Sequence, residues 1–129
     1  MDKVEFVEGF KKRTKEFALR SIKLFQALPK TDEARIIGKQ YLRSATSVAA
    51  NYRAACRARS KAEFQSKISI VVEEADESAF WLEMLGEAGI LYQKNTEPLL
   101  NEIKEILSVV AKARNTVMNQ QKTYSVSKN

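Results

Sequence analysis

The stretch Ile37-Gly38-Lys39-Gln40-Tyr41-Leu42-Arg43-Ser44-Ala45-Thr46-Ser47-Val48-Ala49-Ala50-Asn51-Tyr52-Arg53-Ala54-Ala55 decides the fold. Its apolar positions Ile37, Tyr41, Ala45, Val48, Tyr52 and Ala55 are spaced by four, four, three, four and three. Residues three and four apart share one face of an α-helix, so this spacing predicts a helix with one buried stripe, over about 33–58. Just before it, Pro29 closes a preceding helix, because the residue ahead of a proline is pushed out of the α region. Thr31 or Asp32 then offers an N-cap oxygen.

The same period extends outward in both directions. Over about 7–28, Phe10, Phe17 and Leu24 recur at seven, Phe25 and Leu28 extend their face, and Ser21 is its one polar interruption. Ser60-Lys61-Ala62-Glu63 is a capping box opening a third helix, which carries Phe64, Ile68, Val71, Ala75, Leu82 and Leu85 to Gly86 or Ala88, with Gly89 as its stop. Asn95 or Thr96 caps a fourth, with Pro98 in its first turn, and Leu99, Ile103, Ile106, Val110 and Val117 lead to about Asn119. With 129 residues, 4 Gly and 2 Pro, the expectation is one all-α domain over 1–119 and a flexible polar tail over 120–129. Short connections make neighbours antiparallel, hence an up-down-up-down four-helix bundle.

Composition narrows the function. Histidine is absent, which excludes Ser-His-Asp and Cys-His nucleophile systems and the Glu-x-x-His sites of di-iron bundles. The single cysteine, Cys56, forms no disulfide within the chain, sits among small residues and reads as core. No apolar run approaches the roughly 20 residues of a membrane span, and no signal core follows Met1, so the expected place is the cytoplasm. Glu73, Glu74, Asp76 and Glu77 invite a metal, but adjacent helical positions diverge by about 100°, so at most two converge, and pairing with arginine is the expectation instead. Neither metal nor cofactor is expected, and no nucleophile–base pair marks an enzyme.

Charge is segregated. Residues 1–28, 29–60, 61–89 and 90–129 carry net charges of +3, +5, −5 and +3, within a total of +6. On the second helix Arg35, Lys39, Arg43, Arg53 and Arg57 fall within an arc of about 80°, away from the apolar stripe, and Arg59 flanks them. Such a stripe is the footprint of a phosphate-binding surface. Taken alone, such a stripe is more often a solvated face, here one pairing with the acidic third helix. No aromatic interleaves, so contact would go to the nucleic-acid backbone and depend steeply on salt. Opposite the main stripe of the third helix stand Ile70, Phe80, Trp81 and Met84, expected as a subunit interface or, alternatively, as part of a wide core-facing surface.

Three linked stretches carry a family resemblance: Leu42-Arg43-Ser44-Ala45-Thr46-Ser47-Val48-Ala49-Ala50-Asn51, Arg59-Ser60-Lys61-Ala62-Glu63-Phe64 and Glu74-Ala75-Asp76-Glu77-Ser78-Ala79-Phe80-Trp81-Leu82-Glu83. Over about residues 5–118 the chain resembles the bacterial four-helix bundle proteins of the 23S rRNA intervening-sequence family. The resemblance implies an antiparallel bundle assembling into a homopentameric ring, without enzymatic activity. A related branch, the accessory proteins of diversity-generating retroelements, implies basic pentamers that bind nucleic acid and a reverse transcriptase. Arg43, Ser47 and Asn51 match the family motif on the second helix; Glu74, Glu77 and Trp81 match it on the third. These read first as architecture: Ser44, Ser47 and Asn51 bonding to Glu74 or Glu77, with a buried Arg–Glu pair. Where many members continue Ile-Ala-Glu-Gly after the Asn, this chain has Tyr52-Arg53-Ala54-Ala55, losing an acid and gaining Arg53.

The functional expectation is an oligomeric protein binding RNA or DNA through Arg35, Lys39, Arg43, Arg53, Arg57 and Arg59. The alternative is a scaffold that binds a partner polypeptide, with no direct nucleic-acid role.

Overall fold

A computed structural model of the chain describes residues 1–128, with side chains described for 1–120. It contains four helices, α1 (Lys3–Gln26), α2 (Asp32–Cys56), α3 (Lys61–Glu87) and α4 (Gln93–Lys128), and no strand among the described residues. α2 packs between α1 and α3, α3 packs between α2 and α4, and the α1–α4 seam that closes the bundle is the thinnest. α1 and α3 stand on the diagonal and do not pack on each other.

The apolar stripes meet at the centre. Phe17, Tyr41, Val48, Ile68, Val71, Leu82, Leu85, Ile103, Ile106 and Val110 are fully buried. Each such side chain contributes about 1.5–3 kcal/mol relative to exposure. Ile37, Phe64 and Val117 are only half-buried, at the ends of their stripes. Ser21, the polar interruption in α1, is buried because its hydroxyl lies 2.6 Å from the Tyr41 hydroxyl and also donates to the Phe17 carbonyl. Burial pushes the Tyr41 phenol above its ordinary pKa.

The caps explain most boundaries. Asp2 accepts from the Glu5 N–H at 2.8 Å, so α1 begins at Lys3, earlier than the apolar repeat alone indicates. Thr31 caps α2. Ser60 caps α3 by accepting from the Glu63 N–H at 3.0 Å, while the Glu63 carboxylate lies 3.6 Å from Arg59. α3 ends in a Schellman motif: Gly89 takes φ +72, its N–H donates to Gly86, and the Ile90 N–H donates to Leu85.

α4 departs from expectation. It begins at Gln93, so neither Asn95 nor Thr96 is its cap; the Thr96 hydroxyl donates to the Gln93 carbonyl within the helix. Pro98 accordingly lies inside the helix rather than in its first turn. The helix runs past Asn119 to Lys128. The expected flexibility of the 120–129 tail falls largely outside the described side chains.

Candidate nucleic-acid interface

Arg35 and Arg57 are 22 positions apart, about 33 Å along α2 at 1.5 Å per residue. The structure divides the stripe between them. Arg35 and Lys39 are exposed at the α1–α2 turn, near Phe25, Leu28 and Pro29, with Arg35 3.6 Å from Asp32. Arg43 leans to α3 and is taken up by two carboxylates, Glu77 at 2.7 Å and Glu74 at 3.4 Å. Arg53 and Arg57 lean to α1, and Arg59 is exposed beyond the helix end.

Arg53 and Arg57 share one wall of a groove of ≈ 590 Å³ between α1 and α2. Lys11, Lys12 and Lys15 form the other wall, and Thr46, Ala49 and Ala50 are the floor. Small side chains on the floor keep the groove open. Glu8 is the one acid in its lining and is paired with Lys11 at 2.8 Å. The register that faces these walls is held by the Phe10 and Tyr52 rings, whose centroids are 4.8 Å apart. Five cations around a floor without aromatics suit a phosphate chain rather than stacked bases. The α1 lysines were absent from the expected site. Their spacing in the sequence was visible; the pairing of α1 with α2 that makes them part of it was not.

The Arg43 motif assembles as one network. Glu77 Oε1 accepts from Arg43 Nη2 and, at 3.1 Å, from the Trp81 indole N–H. Burial pushes the Glu77 carboxyl up, but the bonds from Arg43 and Trp81 outweigh it and hold it below its ordinary value. The bond to Glu77 in turn raises the Arg43 guanidinium. Two expectations are corrected here. The Arg43 side chain is 51% exposed, because it caps the outer edge of the α2–α3 seam, so the pair is not buried. Ser44 is the buried member and meets Ser78, at 3.0 Å, instead of a glutamate, while Asn51 donates to the Ser47 carbonyl of its own helix.

The expected interface residues divide as well. Phe80 is 50% exposed, with its ring edge-on to Trp81 at 4.9 Å. Trp81, Ile70 and Met84 are half-buried, and Trp81 packs against the core. Ile36, not expected at any interface, is 64% exposed on α2. Cys56 packs half-buried against the core, and burial pushes its thiol up. Among the described residues no three His, Cys, Asp or Glu side chains converge as a metal site, and no helix is long and apolar enough to cross a membrane.

The chain is thus a four-helix bundle with a cationic groove between its first two helices and an Arg–Glu–Trp network between its second and third. The chain belongs to the 23S rRNA-intervening sequence protein family, whose sequence model matches residues 9–112. Among solved structures it is similar to a protein of unknown function from the S23 ribosomal protein family of Bacteroides thetaiotaomicron VPI-5482. That match has 33% identity and a TM-score of 0.76, and it covers 81% of this chain and 97% of the other. No curated protein matches the chain.

Proposed function

We propose that this protein is a non-enzymatic, homo-oligomeric nucleic-acid-binding protein of the cytoplasm that holds RNA or DNA backbone in the α1–α2 groove. The observation that carries the reading is the groove lining: Glu8 pairs with Lys11, which leaves Lys12, Lys15, Arg53 and Arg57 with no carboxylate in the lining to match them. Phosphates entering the groove release condensed counterions, so binding weakens steeply with salt. Self-association repeats the groove and turns weak contacts into avidity, and the family resemblance implies five copies.

The test is fluorescence anisotropy of structured RNA and duplex DNA across a salt series. Steeply salt-dependent binding that is lost in Arg53→Glu/Arg57→Glu supports the reading. No binding at low salt overturns it in favour of a scaffold for a protein partner.

A further inference from the structure

Arg53 follows Arg35 by 18 positions, and Arg57 follows Lys39 by the same 18. α2 is unbroken between them, and Arg57 is its C-cap. At 3.6 residues per turn, 18 positions make about five whole turns, so the two pairs leave α2 in the same direction, about 27 Å apart along its axis. One pair lines the α1–α2 groove with Lys12 and Lys15. The other lines a second cleft of ≈ 380 Å³ at the α1–α2 turn, which adds Lys30 and holds no acid in its lining. Asp32 stands beside that cleft, 3.6 Å from Arg35.

The surface between these two cationic stations is uncharged. On α2 the positions near their direction are Leu42, Thr46, Ala49 and Ala50. On α1 the positions in line with Lys15 are Leu19, Ile22 and Gln26. Arg43, the α2 cation at this level, is turned to α3 and held by Glu74 and Glu77, while Arg20 and Lys23 of α1 open on the α4 side. Phe25, the one aromatic in either lining, is half-buried in the second cleft.

A phosphate chain meets such a surface differently according to its form. A single strand laid along the seam carries phosphates over the uncharged stretch as well, and no aromatic there offers its bases a stacking surface. A duplex is a stiff rod, each of whose strands returns to the same side once per turn, with a groove opening between. A B-form turn is about 34 Å. Between the stations the separation runs from about 21 Å, Lys39 to Arg53, to about 33 Å, Arg35 to Arg57. The shorter A-form turn falls within that range, and the flexible Lys and Arg stems reach the B-form one.

We propose that the nucleic acid this protein takes is a duplex lying along the α1–α2 seam, its backbone held at two stations one turn apart, Lys12, Lys15, Arg53 and Arg57 at one and Lys30, Arg35 and Lys39 at the other. This names the substrate class of the groove and rests on the nucleic-acid reading above. Recognition is of shape and phosphate spacing, without base readout. The second station acts only on a stem long enough to reach it, and the joined contacts then strengthen a single binding event.

The test is fluorescence anisotropy of the full chain with two RNA hairpins that share one loop and have stems of about 16 and about 6 base pairs, roughly one and a half turns and half a turn. A single strand as long as the larger hairpin, without self-complementarity, is the third probe. Salt is held near 0.1 M, where screening over about 10 Å keeps one station from acting on the other at a distance. Arg35→Glu/Lys39→Glu alters the second station alone; both positions are exposed, and circular dichroism melts check that the variant folds. The variant is expected to lose about tenfold on the long stem and no more than about twofold on the short one, and the wild type to bind the long stem about tenfold tighter than the single strand. Equal losses on both stems, no loss on either, or a single strand bound as tightly as the long stem overturns the two-station duplex. The groove reading stands apart: it survives any of these if Arg53→Glu/Arg57→Glu abolishes binding, and it falls with the duplex if the wild type binds none of the three probes.

Discussion

Arg43 of α2 and Trp81 of α3 are joined through one oxygen: Glu77 Oε1 accepts from both, at 2.7 and 3.1 Å. The junction lies at the surface, so screening by water limits its worth. Arg43→Ala is expected to cost about 1 kcal/mol in urea unfolding, the range of an exposed ion pair, and not the roughly 3–5 kcal/mol of a buried one. Glu77→Gln should alter Trp81 fluorescence in the folded state. A loss well above 2 kcal/mol for Arg43→Ala would mean the pair is shielded, as a subunit contact would shield it.

The same geometry separates two kinds of arginine in nucleic-acid binding. Replacing a phosphate-contacting cation lowers the slope of log K against log salt by about one unit. Arg57→Gln is expected to do so. Arg43→Gln is expected to leave the slope unchanged, because its charge is already matched by Glu74 and Glu77. Equal effects from both would return the site to the undivided α2 stripe.

Stability should fall in acid. The Glu102 carboxyl, bonded twice by Arg13 at 2.7 Å, is held below its ordinary value chiefly by those bonds, and Glu77 is held below it too. A folded carboxyl that resists protonation leaves the unfolded chain to take up protons first, so its contribution is present above about pH 4.3 and is lost as pH drops through the folded value. Urea midpoints are expected to be flat near neutrality and to decline below about pH 4.5. Arg13→Met should flatten that decline; an unchanged acid branch would remove Glu102 from the account.

Gly89 holds φ +72 in the Schellman turn, where a side chain is strained even with open space around it. Gly89→Ala is expected to cost about 1 kcal/mol. Gly9→Ala, an exposed helical position with nothing within 4 Å of the added carbon, should instead be neutral or slightly stabilising. Thermal melts of the pair distinguish a conformational cost from a packing one.

What the sequence made legible is what a single helix can express. Tyr41, Ala45, Val48, Tyr52 and Ala55 are buried as their spacing requires, and Ser60 and Gly89 bound α3 as their chemistry requires. The candidate groove was legible only in half. Arg53 and Arg57 are plain on a projection of α2, but their partners Lys11, Lys12 and Lys15 join them only once α1 and α2 are in register. Arg43 lies within the same arc and yet belongs to α3, because a 40° offset on one helix selects a different neighbour. At α4, Asn95 and Thr96 have the chemistry of caps, but the helix starts ahead of them at Gln93.

The thin α1–α4 seam has a kinetic side. Nearly all packing joins helices adjacent in the chain, α1 with α2, α2 with α3, α3 with α4. Contacts close in sequence cost little loop-closure entropy, and bundles wired this way fold in microseconds to milliseconds. The two ends meet where Arg13 pairs with Glu102 and Glu105, and this contact, distant in sequence, is expected to form last. Amide exchange should therefore be fastest where α1 faces α4 and slowest in the α2–α3 hairpin, which would form the nucleus around which the first and last helices settle.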